Sequence, residues 1–284
     1  MVDAGFAFAA SPKRVAIQFV WMATAISLLS LPLLLVMPLA KHFLQAYAAT
    51  NSISQALSTM APAQAIATAT GAIMMFLAFI ALLWLASVFV HAFFAHNALT
   101  NSSFKQSVQA AKKNYLNALL ALIVIALVAV VQAIVFTPLK ALPFAGAFFG
   151  AADFLASIFF ALAFLFTIYA LMARESNAFA AVTESINVFF KHPLETLAVF
   201  IATTVLSAVI ILVSLVPLIA AAIGWTATNF SLNNAVLLVI ALACAASVLG
   251  LAYAQLFNVG ATANAFNQLA GKPVARRALK KRVK

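Results

Sequence analysis

The chain of 284 residues is 66% hydrophobic and only 7% charged, with 16 Lys and Arg against 5 Asp and Glu for a net charge of +11. A soluble domain carries about a quarter charged residues, so this composition excludes a water-soluble enzyme and a folded nucleic-acid module, and points to a polytopic membrane protein. The single cysteine, Cys244, lies in an apolar run, which leaves no disulfide framework and no thiolate metal centre.

The first predicted element follows Lys13 and Arg14 with 26 uncharged residues, "VAIQFVWMATAISLLSLPLLLVMPLA". That run is longer than the apolar core of a signal peptide, so it is expected to be an uncleaved span. Apolar segments then recur, giving predicted spans at about 15–38, 65–92, 116–138, 153–173, 195–222 and 235–259. None alternates polar and apolar residues as a barrel strand does. The expected fold is an all-α polytopic membrane bundle: six transmembrane helices in three hairpins, joined by amphipathic interfacial elbow helices. A single transmembrane domain over 1–270 is expected, with hairpin units at about 5–97, 101–175 and 177–268, and a basic tail at 271–284.

The cations set the direction of threading. Lys13, Arg14, Lys105, Lys112, Lys113, Arg174 and Lys191 precede odd-numbered spans, and the tail "GKPVARRALKKRVK" adds seven more; only Lys41 and Lys140 fall on the other side. Both termini are therefore expected in the cytoplasm of a multi-pass protein of the cell membrane. Lys13, Arg14, Lys112, Lys113, Lys191, Arg276, Arg277, Lys280 and Lys281 are the candidate contacts to lipid headgroups, anionic ones above all. No nucleic-acid partner is expected, because the charge describes one face of a membrane protein.

Two stretches look like copies of each other. With Ser107 placed over Ser185, an offset of 78, Val108 meets Ile186, Lys113 meets Lys191, Leu116 meets Leu194, Leu119 meets Leu197 and Ile123 meets Ile201. Pro138 follows Lys113 by 25 residues, Pro217 follows Lys191 by 26, and Pro38 follows Lys13 by 25. Each odd span thus begins at a cation and is expected to stop or kink near a proline. Ahead of each lies a short segment predicted to lie flat at the interface: "NAFAAVTESINVFFK", with Phe179, Val182, Ile186 and Phe189 or Phe190 on one face; "NSSFKQSVQAAKK", with Phe104 and Val108; and "AGFAFAASPKR", with Phe6 and Phe8. Asn101 and Asn177 are the expected caps.

The pattern "ESINVFFKHPLETL" before a long apolar helix, and "NAFNQLAGKP" after the last span, resemble six-helix prokaryotic membrane proteins related to the membrane domain of some glycerophosphodiester phosphodiesterases. The resemblance implies a membrane scaffold and carries over no active-site residue. A phosphodiesterase domain is not expected here, since five acids are too few for its carboxylate cluster.

Candidate chemistry is sparse. His91 and His96 are five apart rather than the four of a zinc-binding helix, so neither a metal nor another cofactor is expected. Asp153, at the expected entrance of span four, reads as a cap on the positive helix end or as part of a solute path. Gln132, Gln255, Asn258 and His91 complete the candidate intramembrane polar set. The small residues of "ALACAASVLGLAYA" are expected to place span six inside the bundle. The leading expectation is a non-enzymatic scaffold, or a module binding lipid and an unidentified protein partner. The alternatives are a small-solute transporter and, third, a lipid-processing membrane enzyme.

Overall fold

A computed structural model describes residues 1–50, 62–174, 176–227 and 234–271. In chain order the helices are α1 (Val2–Ala9), α2 (Pro12–Thr50), α3 (Pro62–Thr100), α4 (Phe104–Lys140), α5 (Gly146–Phe164), α6 (Thr167–Arg174), α7 (Ala178–Lys191), α8 (Pro193–Ala227) and α9 (Asn234–Leu269). Among the described residues there is no strand, and six segments are long and apolar enough to cross a membrane: α2, α3, α4, α5 with α6, α8 and α9. The fold is an all-α membrane bundle.

The chain divides into two compact units, one of Met1–Phe19 with the chain from Val88 onward, the other of Val20–Ser87. The smaller unit holds the apolar middle of α2 and most of α3. Hydroxyls described there bond within their own helix, as Thr24 does to the Val20 carbonyl at 2.8 Å, Ser30 to the Ser27 carbonyl at 2.7 Å and Ser87 to the Trp84 carbonyl at 2.7 Å. That is how a lone hydroxyl is satisfied in hydrocarbon without a second helix.

In the larger unit the core lies toward one end of the helices. Phe94, Phe166, Leu171, Leu256, Phe257 and Phe266 are almost fully buried together, whereas Leu116, Ile134, Leu212 and Leu242, farther along their helices, are exposed. α1 packs on α9 where two glycines permit it. A Cβ on Gly5 would stand 2.8 Å from the Phe257 ring, and one on Gly260 would stand 2.5 Å from the Phe8 Cβ. Lengths allow this: 36 residues of α9 reach about 54 Å, well past about 30 Å of hydrocarbon, and the apolar C-terminal part, with Leu256, Phe257 and Phe266, is covered by protein.

Several expectations change in detail. α4 carries no separate elbow: Phe104–Lys140 is one helix, and residues 104–113 are its first turns. Its cap is Ser103, in a reciprocal box with Gln106. Asn101 instead closes α3, in a left-handed conformation at φ 49° that asparagine tolerates, its N–H donating to the Asn97 carbonyl at 2.9 Å. Asn177 does cap α7, accepting from Ala180 N–H at 2.8 Å. Pro138 falls two residues before the end of its helix, but α2 runs on past Pro38 to Thr50 and α8 past Pro217 to Ala227. Over 241–250 span six packs along one edge, with Ala243 and Ser247 buried, Ser247 donating to the Ser214 carbonyl at 2.8 Å, and Cys244 exposed; from Ala252 on it enters the core, where Ala252, Ala254, Leu256 and Phe257 are buried.

Span four is broken. α5 ends at Phe164 and α6 begins at Thr167, which frees backbone groups that a continuous helix would pair. Ser185, on α7, fills the break: its hydroxyl donates to the Ala163 carbonyl at 2.7 Å and accepts from Phe166 N–H at 3.1 Å. Ser107, its counterpart at the 78-residue offset, is also fully buried and tied to the preceding span, accepting from the Asn97 amide at 3.2 Å. Burial follows the same offset at Ala111 and Phe189, Ala118 and Thr196, and Ala121 and Val199.

Candidate functional site

The structure sorts the sequence-predicted polar residues into separate clusters. Asp153 is the eighth residue of α5 rather than its cap; the position before α5 is Ala145, with no side-chain cap. One face of the Asp153 carboxylate meets the Lys140 ammonium at 2.5 Å, and the other accepts from the Gln132 amide at 2.7 Å. That amide also donates to the Asp153 carbonyl at 3.0 Å and lies 2.7 Å from the Ser157 hydroxyl. α4 and α5 are thereby pinned near their connecting turn, and the carboxylate is neutralised locally, which is how an acid beside hydrocarbon is tolerated.

His91 and Asn258 belong to a second group. The His91 ring meets the edge of Tyr169, centroids 5.9 Å apart. The Tyr169 hydroxyl faces Thr262, which donates to Asn258 Oδ1 at 3.2 Å within α9. A third group joins Gln255 to Gln18, whose amide donates to the Gln255 carbonyl oxygen. Gln18 was not among the sequence candidates although it is buried; a lone amide in the first span was the signal for it.

The cations divide likewise. Lys13 and Lys112 are exposed, as headgroup contacts require, and Lys113 is exposed too. Arg14 turns inward. Its guanidinium donates to Asn97 Oδ1 at 2.8 Å, to Asn101 Oδ1 at 3.3 Å and to the Phe8 carbonyl at 3.4 Å, and lies 4.1 Å over the Phe8 ring. Asn97 passes the link on to the Ser102 carbonyl at 2.8 Å and to Ser107. Arg14 therefore ties α1 and the start of α2 to the end of α3, using the planar fork that lysine lacks. Arg276, Arg277, Lys280 and Lys281 lie outside the described residues.

Two cavities are lined by residues of the larger unit. One is an apolar groove between Pro12, Val15, Phe19 and Ala245, Ala246, Leu249. The other, about 460 Å³, is polar and gathers Arg174, Thr183, Glu184, Asn187 and Lys191 beside the end of α9. Arg174 stands 2.6 Å from Glu184 and donates to the Ala270 carbonyl at 3.3 Å. Burial pushes the Glu184 carboxyl above its ordinary range, and the Arg174 charge draws it back in part. Neither cavity is lined by Asp153, Gln132, Gln255, Asn258 or His91. Among the described residues no three His, Cys, Asp or Glu side chains group as metal ligands.

No protein family, characterised protein or solved structure matches this chain. Function must be argued from its own side chains.

Proposed function

We propose that the protein is a non-enzymatic membrane scaffold of three hairpin units, which holds a protein partner against an anionic cytoplasmic leaflet of the cell membrane. The observation that carries this reading is the pairing of the intramembrane polar groups. Asp153 is taken by Lys140 and Gln132 and Gln255 by Gln18, each across two helices, while Asn258 accepts from Thr262 within α9 and His91 packs on the Tyr169 ring, so the polar candidates for a solute path are engaged within the protein. The matched burial of Ser107 with Ser185 and of Ala118 with Thr196 supports the repeat behind the hairpin units. The exposed Lys13, Lys112 and Lys191 favour an anionic surface on the side where the odd spans begin.

A transporter is the second reading, because span four is discontinuous and broken helices recur where transporters bind solutes. Ser185 occupying the freed backbone groups weighs against it. Liposomes containing the protein distinguish the two. The scaffold predicts no uptake above protein-free vesicles across a panel of small solutes; uptake abolished by Asp153→Asn or Gln255→Leu would reject it.

A further inference from the structure

We propose that the cavity between α6, α7 and the end of α9 is a binding site for a phosphate ester whose alcohol part carries a hydrogen-bond donor, as glycerol or ethanolamine phosphates do. Two cations, Arg174 and Lys191, and one acid, Glu184, line it, leaving a net charge of about +1 at neutral pH. Arg174 is already engaged by Glu184 and the Ala270 carbonyl. Lys191 forms no ion pair with any described residue, and the Asn187 amide beside it lies on the same wall. These two supply donors to phosphate oxygens. Glu184 supplies the complement: its Oε1 is buried and, although close to Arg174, receives no aligned hydrogen bond. A buried carboxylate oxygen in that state gains from a hydroxyl or ammonium donor. The cavity volume, about 460 Å³, accommodates a headgroup but not its acyl chains, which would have to lie outside.

The site rests on the reading of the Lys191 side as a lipid-facing surface, yet it does not depend on the absence of transport, so flux and binding experiments fail separately. The full chain in phosphatidylcholine nanodiscs is doped with phosphatidylglycerol or phosphatidylethanolamine, and retained lipid is counted by native mass spectrometry; glycerol 3-phosphate is titrated in a parallel arm. Retention of the two donor-bearing lipids over phosphatidylcholine is expected, lowered about fivefold by Lys191→Ala, less by Asn187→Ala, and not at all by Lys105→Ala. Thermal midpoints verify that each variant is folded. Competition by glycerol 3-phosphate identifies a soluble ester as an occupant, and retention without competition identifies a lipid. Equal retention of all three lipids with no glycerol 3-phosphate binding overturns the proposal, as does wild-type retention in both Lys191→Ala and Asn187→Ala.

Discussion

Removing the Ser185 hydroxyl isolates one interaction that holds α7 to the broken span. In Ser185→Ala the Phe166 N–H loses its acceptor and the Ala163 carbonyl loses its donor, at a side chain with no exposure. An interhelical side-chain hydrogen bond in a bilayer contributes about 0.6 kcal/mol on average and about 1.7 at most, because the unfolded chain finds other partners. Here two bonds go together, and both meet backbone groups that the break has freed. A buried backbone donor left unpaired costs about 1–3 kcal/mol, so the combined loss should be about 2–3 kcal/mol. The assay is equilibrium unfolding in mixed micelles by SDS titration, with Thr183→Ala as the reference. Thr183 lies two residues away but donates only within its own helix, to the Phe179 carbonyl at 2.9 Å, and should cost within about 0.5 kcal/mol. If Ser185→Ala proves no more costly than Thr183→Ala, the break is not held by Ser185 and the account of span four is wrong.

Arg14→Lys keeps the charge that sets topology but loses the fork to Asn97 and Asn101; about 1–2 kcal/mol of stability should go while terminal tags stay on one side, and unchanged unfolding would contradict the role given to Arg14. For Glu184, burial raises the folded carboxyl above its ordinary 4.5, so the folded state binds the proton more tightly than the unfolded chain. Its contribution is therefore fully present below about pH 4.5 and is lost as pH rises through the raised value; thermal midpoints from pH 4 to 7 should show this decline in wild type and a shallower one in Glu184→Gln. Spin labels at Phe179 and Phe190, which are 70% and 64% exposed, should report depths at the headgroups, whereas labels fully in water would refute the interfacial placement of α7.

The spans were legible because length and hydropathy are properties of a run of residues, and a run cannot be hidden by packing. Boundaries were less so: the predicted span at 65–92 stops eight residues short of the end of α3, because His96, Asn97 and Thr100 look like a polar exit although Asn97 is buried. The amphipathic reading of α7 mixed two surfaces. Val182 and Phe189 turn to the protein, while Phe179 and Phe190 stay outside, since a face apolar enough for lipid is equally apolar enough for a neighbouring helix. Arg14 and Lys13 could not be told apart by sequence, as both obey the same charge rule and only the position of Asn97 in space separates them.

Apolar residues carry little positional information in such a chain, because lipid satisfies leucine as well as a core does. The exposed Leu116 and Leu212 and the buried Leu171 and Leu256 are indistinguishable by type. Polar residues are different: each must find a partner, and a partner means a second helix or the helix's own backbone. Asn97, Ser107 and Ser185 are buried and reach across elements, and the two serines stand 78 residues apart, the same spacing as Lys113 and Lys191. Reading the polar residues first, by asking what each must bond to, would have placed Gln18 against another span and Ser185 against a break. The interior of this bundle is thus indexed by its few hydroxyls and amides, with its many aliphatic side chains free to face either way.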